Sequence, residues 1–94
     1  MIVNFRDKRT RDFADGKYVK AFSGFSRQAE LKLDQLEAAT LLKDLALLPG
    51  NRFEALKGGR KGQYSIRIND QWCACFEWPD RSLGPLNVEI VDYH

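Results

Sequence analysis

Apolar residues recur every three or four positions through residues 25–39 and at every second position from residue 64 onward. The chain therefore reads as a helical half followed by a stranded half. Phe25, Ala29, Leu33, Leu36 and Ala39 form one stripe of a helix of about four turns, with Ser26 as its expected N-cap. A shorter helix is expected over Asp7–Ala14, stopped by Gly16. Met1–Phe5 is β-prone, Tyr18–Gly24 reads as a connection, and Leu41–Leu48 reads as an apolar helical turn closed by Pro49-Gly50. Beyond that point Arg52–Leu56 is a strand candidate, and residues 56–62, LKGGRKG, form a basic glycine-rich loop.

Three half-buried strands follow. Tyr64, Ile66 and Ile68 alternate with Ser65 and Arg67; Trp72, Ala74, Phe76 and Trp78 with Cys73, Cys75 and Glu77; Leu86, Val88 and Ile90 with Asn87 and Glu89. Their short connections predict an antiparallel meander. If Asn69, Asp70 and Gln71 form the first turn, Arg67 pairs with Cys73 and both apolar sets share one face; a shorter turn mixes the faces. The fold class expected is α+β, one domain over residues 1–94, with N-terminal helices on one face of a twisted antiparallel sheet. The opposite, open face carries Arg67, Cys73 and Cys75. Strict alternation sends Asp92 toward the helical side at the sheet's end.

Composition narrows the class. Hydrophobic residues make up 44% and charged residues 30% of 94 residues, the profile of a globular chain. No apolar run approaches membrane-spanning length and the N-terminus does not resemble a secretion signal, so a cytoplasmic protein without membrane association is expected. Two cysteines one residue apart and a single histidine make a poor metal set, so neither metal nor cofactor is expected. The net charge is only +2, but it is unevenly spread. Arg6, Lys8, Arg9 and Arg11 form one basic cluster; Lys57, Arg60 and Lys61 form another, with Arg67 close behind. Local patches of this kind suit nucleic acid or a solvated surface. The lone histidine is the last residue, His94, following Asp92 and Tyr93.

The series F-R-x-K at residues 5–8, P-G-x-R-x-x-x-L-K-G at 49–58, K-G-x-Y-S-I-R-I-N-x-x-W at 61–72 and D-Y-H at 92–94 resembles the HigB toxins of the RelE/ParE superfamily, over nearly the whole chain and in order. The resemblance implies a ribosome-dependent mRNA endonuclease, monomeric alone, inhibited by a HigA-like helix-turn-helix antitoxin through which it meets operator DNA. Cleavage of this kind uses the substrate's 2′-hydroxyl as nucleophile, so the protein must accept its proton, stabilise phosphate charge and assist the leaving 5′-oxygen.

On that resemblance the candidate catalytic residues are Asp92, Tyr93, His94, Arg67, Lys57 and Glu54, with Arg60 and Lys61 gripping the RNA backbone. His94 has the side chain that exchanges protons near neutrality. Asp92 accepts a proton or orients its neighbours, Tyr93 stacks on a base or hydrogen-bonds the phosphate, and Lys57 and Arg67 suit phosphate oxygens. A purely structural part for Arg67 would be pairing with Glu77 or Glu89. Two positions depart from the pattern: Glu54 stands where members often carry histidine, and Cys73 where they often carry arginine. Loss of one transition-state donor costs ~10²–10³ in rate. The alternative reading is a non-nucleolytic toxin on the same scaffold, acting on gyrase by contact as ParE-type toxins do, or a decayed copy that only binds antitoxin.

Overall fold

A computed structural model describes residues 1–92 of the chain. Helix α1 (Lys8–Ala14) is followed by a 3-10 helix (Lys20–Phe25), α2 (Ser26–Ala38) and α3 (Leu42–Ala46); then come β1 (Glu54–Ala55), a 3-10 turn (Gly58–Arg60), β2 (Gln63–Arg67), β3 (Trp72–Glu77) and β4 (Leu86–Asp92). The strands form one antiparallel sheet in the order β1-β2-β3-β4, so the expected α+β class and meander are both present.

The register matches the burial argument. Arg67 lies opposite Cys73, and the Ile68 N–H donates to the Trp72 carbonyl at 2.9 Å. Ile66, Ile68, Ala74, Phe76, Val88 and Ile90 are buried against Phe13, Phe22, Phe25, Ala29, Leu33 and Leu36 of the helical layer. Phe22 sits at the centre of an aromatic group, with ring centroids 5.4 Å from Phe13, 5.9 Å from Phe25 and 5.7 Å from Trp72.

Several local expectations need correction. Tyr18–Gly24 is not a plain connection: Lys20–Phe25 coils into a 3-10 helix that buries Phe22 and Phe25. That helix runs straight into α2, so Ser26 is already helical and makes no side-chain cap. Of Arg52–Leu56 only Glu54 and Ala55 pair as a strand. The N-terminal segment contributes a single parallel bridge, Phe5 to Val88. The sheet face away from the helices is not uniformly open either. Cys75 is 1% exposed and Ser65 3%, and their row ends at Glu89, which faces Arg60 at 3.6 Å and Arg6 at 4.0 Å.

Candidate active site

On this second face the row Glu54–Ser65–Cys75–Glu89 crosses all four strands, and the row Arg67–Cys73–Val91 runs beside it. Period-two alternation places every one of these side chains on the same side. At the Arg67 end the surface dips into an open groove of about 250 Å³, lined by Arg52, Glu54, Ser65, Arg67, Asn69, Asp70 and Cys73. Two carboxylates, Glu54 and Asp70, and two guanidinium groups, Arg52 and Arg67, therefore share one concavity with Cys73. Burial pushes the Cys73 thiol pKa up; Arg67 opposes that rise and Glu54 adds to it, so both charges act on the same sulfur. The neighbouring Cys75 thiol, more deeply buried, is pushed up to about 11.

Arg67 is held rather than free. Its Nε donates to the Asn69 carbonyl at 3.1 Å, and its Nη2 pairs with the Asp70 carboxylate. It pairs with neither Glu77 nor Glu89, which lie opposite Gln63 and Cys75. The Arg67 backbone N–H donates to the carbonyl of the fully buried Asn51 at 2.6 Å. Arg52, next to Asn51, has φ 44°, a left-handed conformation that an arginine adopts only where its surroundings impose it.

Asp92 ends β4 opposite Trp72, on the helical side as alternation requires, and is exposed. The Gln71 side-chain amide donates to its Oδ2 at 2.7 Å. The β2–β3 turn thus holds Arg67 through Asn69 and Asp70 and holds Asp92 through Gln71. The Asn69 side chain fixes the turn itself by accepting from the N–H groups of Gln71 and Trp72, both at 2.8 Å. Tyr93 and His94, assigned to catalysis on resemblance, lie outside the described residues.

The remaining candidates stand apart from the groove. Lys57 is exposed at the start of the β1–β2 loop, whose Gly58 and Gly62 take φ 63° and 93°. Lys61 is exposed in the same loop. Arg60 turns back onto the sheet, donating to the Gln63 Oε1 at 2.9 Å and facing Glu89. Sequence reasoning brought Glu54 and Arg67 forward but missed Arg52, Ser65, Asn69 and Asp70. Their signals were present: a Pro-Gly-Asn-Arg turn before β1, and an aspartate three residues after an arginine at a strand end. Among the described residues, no three His, Cys, Asp or Glu side chains cluster as a metal site, and no helix is long and apolar enough to cross a membrane.

Comparison with known proteins supplies the context for this groove. A family model described as a RelE-like toxin of the type II toxin–antitoxin system HigB matches residues 3–94. Toxin HigB-1 of Vibrio cholerae serotype O1 is 39% identical over 82 residues, covering 85% of this chain and 86% of that protein. A protein of Haemophilus influenzae described as uncharacterized is 32% identical over 63 residues, 67% of this chain and 62% of that one. With a family match that runs from the third residue to the last and a toxin relative aligned along most of both chains, the chain belongs to the HigB-like, RelE-like toxins of type II toxin–antitoxin systems.

Proposed function

We propose that this toxin is a metal-independent, ribosome-dependent mRNA endonuclease that inhibits translation in the cytoplasm. The observation that carries the reading is the shared groove of Glu54, Arg52 and Arg67 on the sheet face away from the helices. In-line cleavage needs a proton acceptor for the 2′-hydroxyl, cations on the phosphate and a proton donor for the 5′-oxygen. Glu54 suits the first task, since an ionised carboxylate accepts protons. Arg67 suits the second, its planar fork matching two phosphate oxygens, with Arg52 beside it. The third falls to the tail, with His94 as donor, Tyr93 stacking on a base and Asp92 orienting the end of β4. As the 2′-oxygen bonds to phosphorus its proton passes to the base; the bond to the 5′-oxygen breaks and that oxygen takes a proton from the acid.

Lys57 and Lys61 are exposed cations on the adjacent loop, suited to RNA backbone beyond the scissile phosphate; Arg60 reaches it only on leaving Glu89. Membership of a type II system implies an antitoxin; we assign a HigA-like helix-turn-helix protein, which also brings the complex to operator DNA, and a monomeric toxin in its absence.

The test is a 5′-end map of a reporter mRNA after brief induction in bacteria, comparing the intact chain with one stopped after Val91. New in-frame cuts with the intact chain alone are expected. Absence of cuts from both, with folded protein present, sinks the nuclease and leaves gyrase contact or antitoxin binding alone.

A further inference from the structure

The helical layer carries a second depression that this chemistry does not use. Ile2, Phe5, Phe13 and Leu33 floor a groove of about 300 Å³ between the N-terminal segment, α1 and α2. Its walls are acidic. Glu30, Asp34 and Glu37 recur along one side of α2 at helical spacing, and Asp15 faces them from the end of α1. All are exposed. Among the described residues no cation lies within ion-pair distance of Asp15, Glu30 or Asp34, and Glu37 spends an oxygen on the Ile2 N–H at 2.6 Å. Past Phe13 and Glu30 the surface dips again toward Tyr18, 78% exposed in a loop where nothing requires an aromatic.

These features select a partner. The wall is negative on a chain whose net charge is +2, so it repels the nucleic acid that the other face attracts. The floor is apolar and narrow, fitting one large anchoring side chain rather than a flat surface. An occupant needs an apolar anchor flanked by Lys or Arg, the pattern of a cationic amphipathic segment. We propose that this groove seats such a segment of the antitoxin, with a Leu- or Phe-type anchor on Phe13 and Leu33 and its cations along Glu30 and Asp34. The proposal rests on membership of a type II system and is independent of the nuclease reading.

The test uses the full chain and the antitoxin encoded beside it. Binding is measured for the parent and for Glu30→Lys/Asp34→Lys, whose sites are exposed on α2, with circular dichroism confirming an unchanged fold. Two short fluorescent helical peptides serve as competitors: one has a leucine stripe flanked by lysines, and its twin carries glutamates instead. The charge reversal is expected to weaken antitoxin binding by about tenfold or more, as loss of complementary interfacial charge does. The lysine peptide is expected to compete with antitoxin on the parent, and its glutamate twin to fail. Unchanged antitoxin affinity in the variant overturns the proposal, as does equal competition by both peptides. A parent dimer in sedimentation that the variant abolishes also overturns it, because the occupant is then a second copy. RNA cut maps of the variant without antitoxin report on the nuclease separately, since neither residue touches that site.

Discussion

In the proposed nuclease Arg67 is the cation for the phosphate, and in the free protein its guanidinium already faces the Asp70 carboxylate. Asp70 is 96% exposed, so the pair is a surface ion pair of small worth to the fold. It is, however, a competitor for any anion arriving in the groove. Asp70→Asn is therefore expected to tighten binding of a short RNA by about three- to fivefold at low salt, with the melting temperature unchanged, because only a solvated pair is lost. Fluorescence anisotropy across a salt series checks this; weaker RNA binding would instead make Asp70 a support that orients Arg67. Period-two alternation and the need to bury Ile66 and Trp72 together set Arg67 opposite Cys73, and this much was readable in the sequence. The Asp70 contact was not, because alternation governs strands and says nothing about where a turn side chain lies. Arg52 escaped for a related reason: its left-handed backbone comes directly after the buried Asn51, and no local propensity of arginine announces it.

At the scale of elements, the short helix α3 and the loop after it decide where β1 and the end of β2 lie. Helix α3 starts at Leu42, and the Asp44 carboxylate accepts from the N–H groups of Leu41 at 3.1 Å and Thr40 at 3.2 Å. These bonds, Leu41's first, hold the Asp44 pKa below its usual 3.8. The fold thus favours the ionised form. Its contribution is complete above the unfolded-state pKa and is lost as pH falls through the lower folded-state value. The stability gap between the parent and Asp44→Asn should therefore shrink between about pH 5 and pH 2. Urea unfolding at a series of pH values reads this directly, and a constant gap would show that the capping bonds carry no such linkage.

Behind α3, Asn51 is fully buried: its side chain accepts from Lys32 Nζ of α2 and donates to the Leu45 carbonyl at 3.1 Å, while its own carbonyl receives the Arg67 N–H. Asn51→Ala strands a buried ammonium and is expected to cost about 2–4 kcal/mol. Lys32→Met in the same chain should recover part of that loss, a coupling that a double-mutant cycle in urea measures and that strict additivity would refute. The α2 stripe was legible from Ala29, Leu33 and Leu36, but Lys32 beside them reads as solvent-facing. Only the tertiary partner Asn51 makes its burial tolerable, which is why helical periodicity could not reveal it. The 3-10 helix at Lys20–Phe25 was hidden likewise, since its reason for coiling is the pocket that receives Phe22.

For the whole molecule, the same sheet must leave the groove face open and avoid pairing with other chains through its edges. One edge is β1, kept to Glu54 and Ala55. The other, β4, is covered by the N-terminal segment and α1: Val3 N–H donates to the Pro85 carbonyl at 2.8 Å, Arg6 N–H to Val88 at 2.9 Å, Val88 N–H to Asn4 at 3.2 Å, and Ile90 N–H to the buried Thr10 hydroxyl at 3.1 Å. The covering strip brings Met1 against Gly84 so closely that a β-carbon there would stand 1.7 Å from the Met1 carbonyl oxygen. Glycine is needed at this position for space. Gly84→Ala must push the N-terminal segment off the edge or distort the turn before β4, at a cost of about 1–3 kcal/mol, the usual range for overpacking. Because that segment also supplies Ile2 and Phe5 to the acidic groove, the substitution should weaken antitoxin binding together with stability. It should also promote self-association as the Val88 amide loses its Asn4 partner. Gly59→Ala is the control, since among the described residues, its chain neighbours aside, no atom lies within 4 Å of a β-carbon there. Urea midpoints and light scattering should separate the two variants. If Gly84→Ala matches Gly59→Ala in both, the N-terminal strip yields at no cost, and edge protection must come from α1 through Thr10 alone.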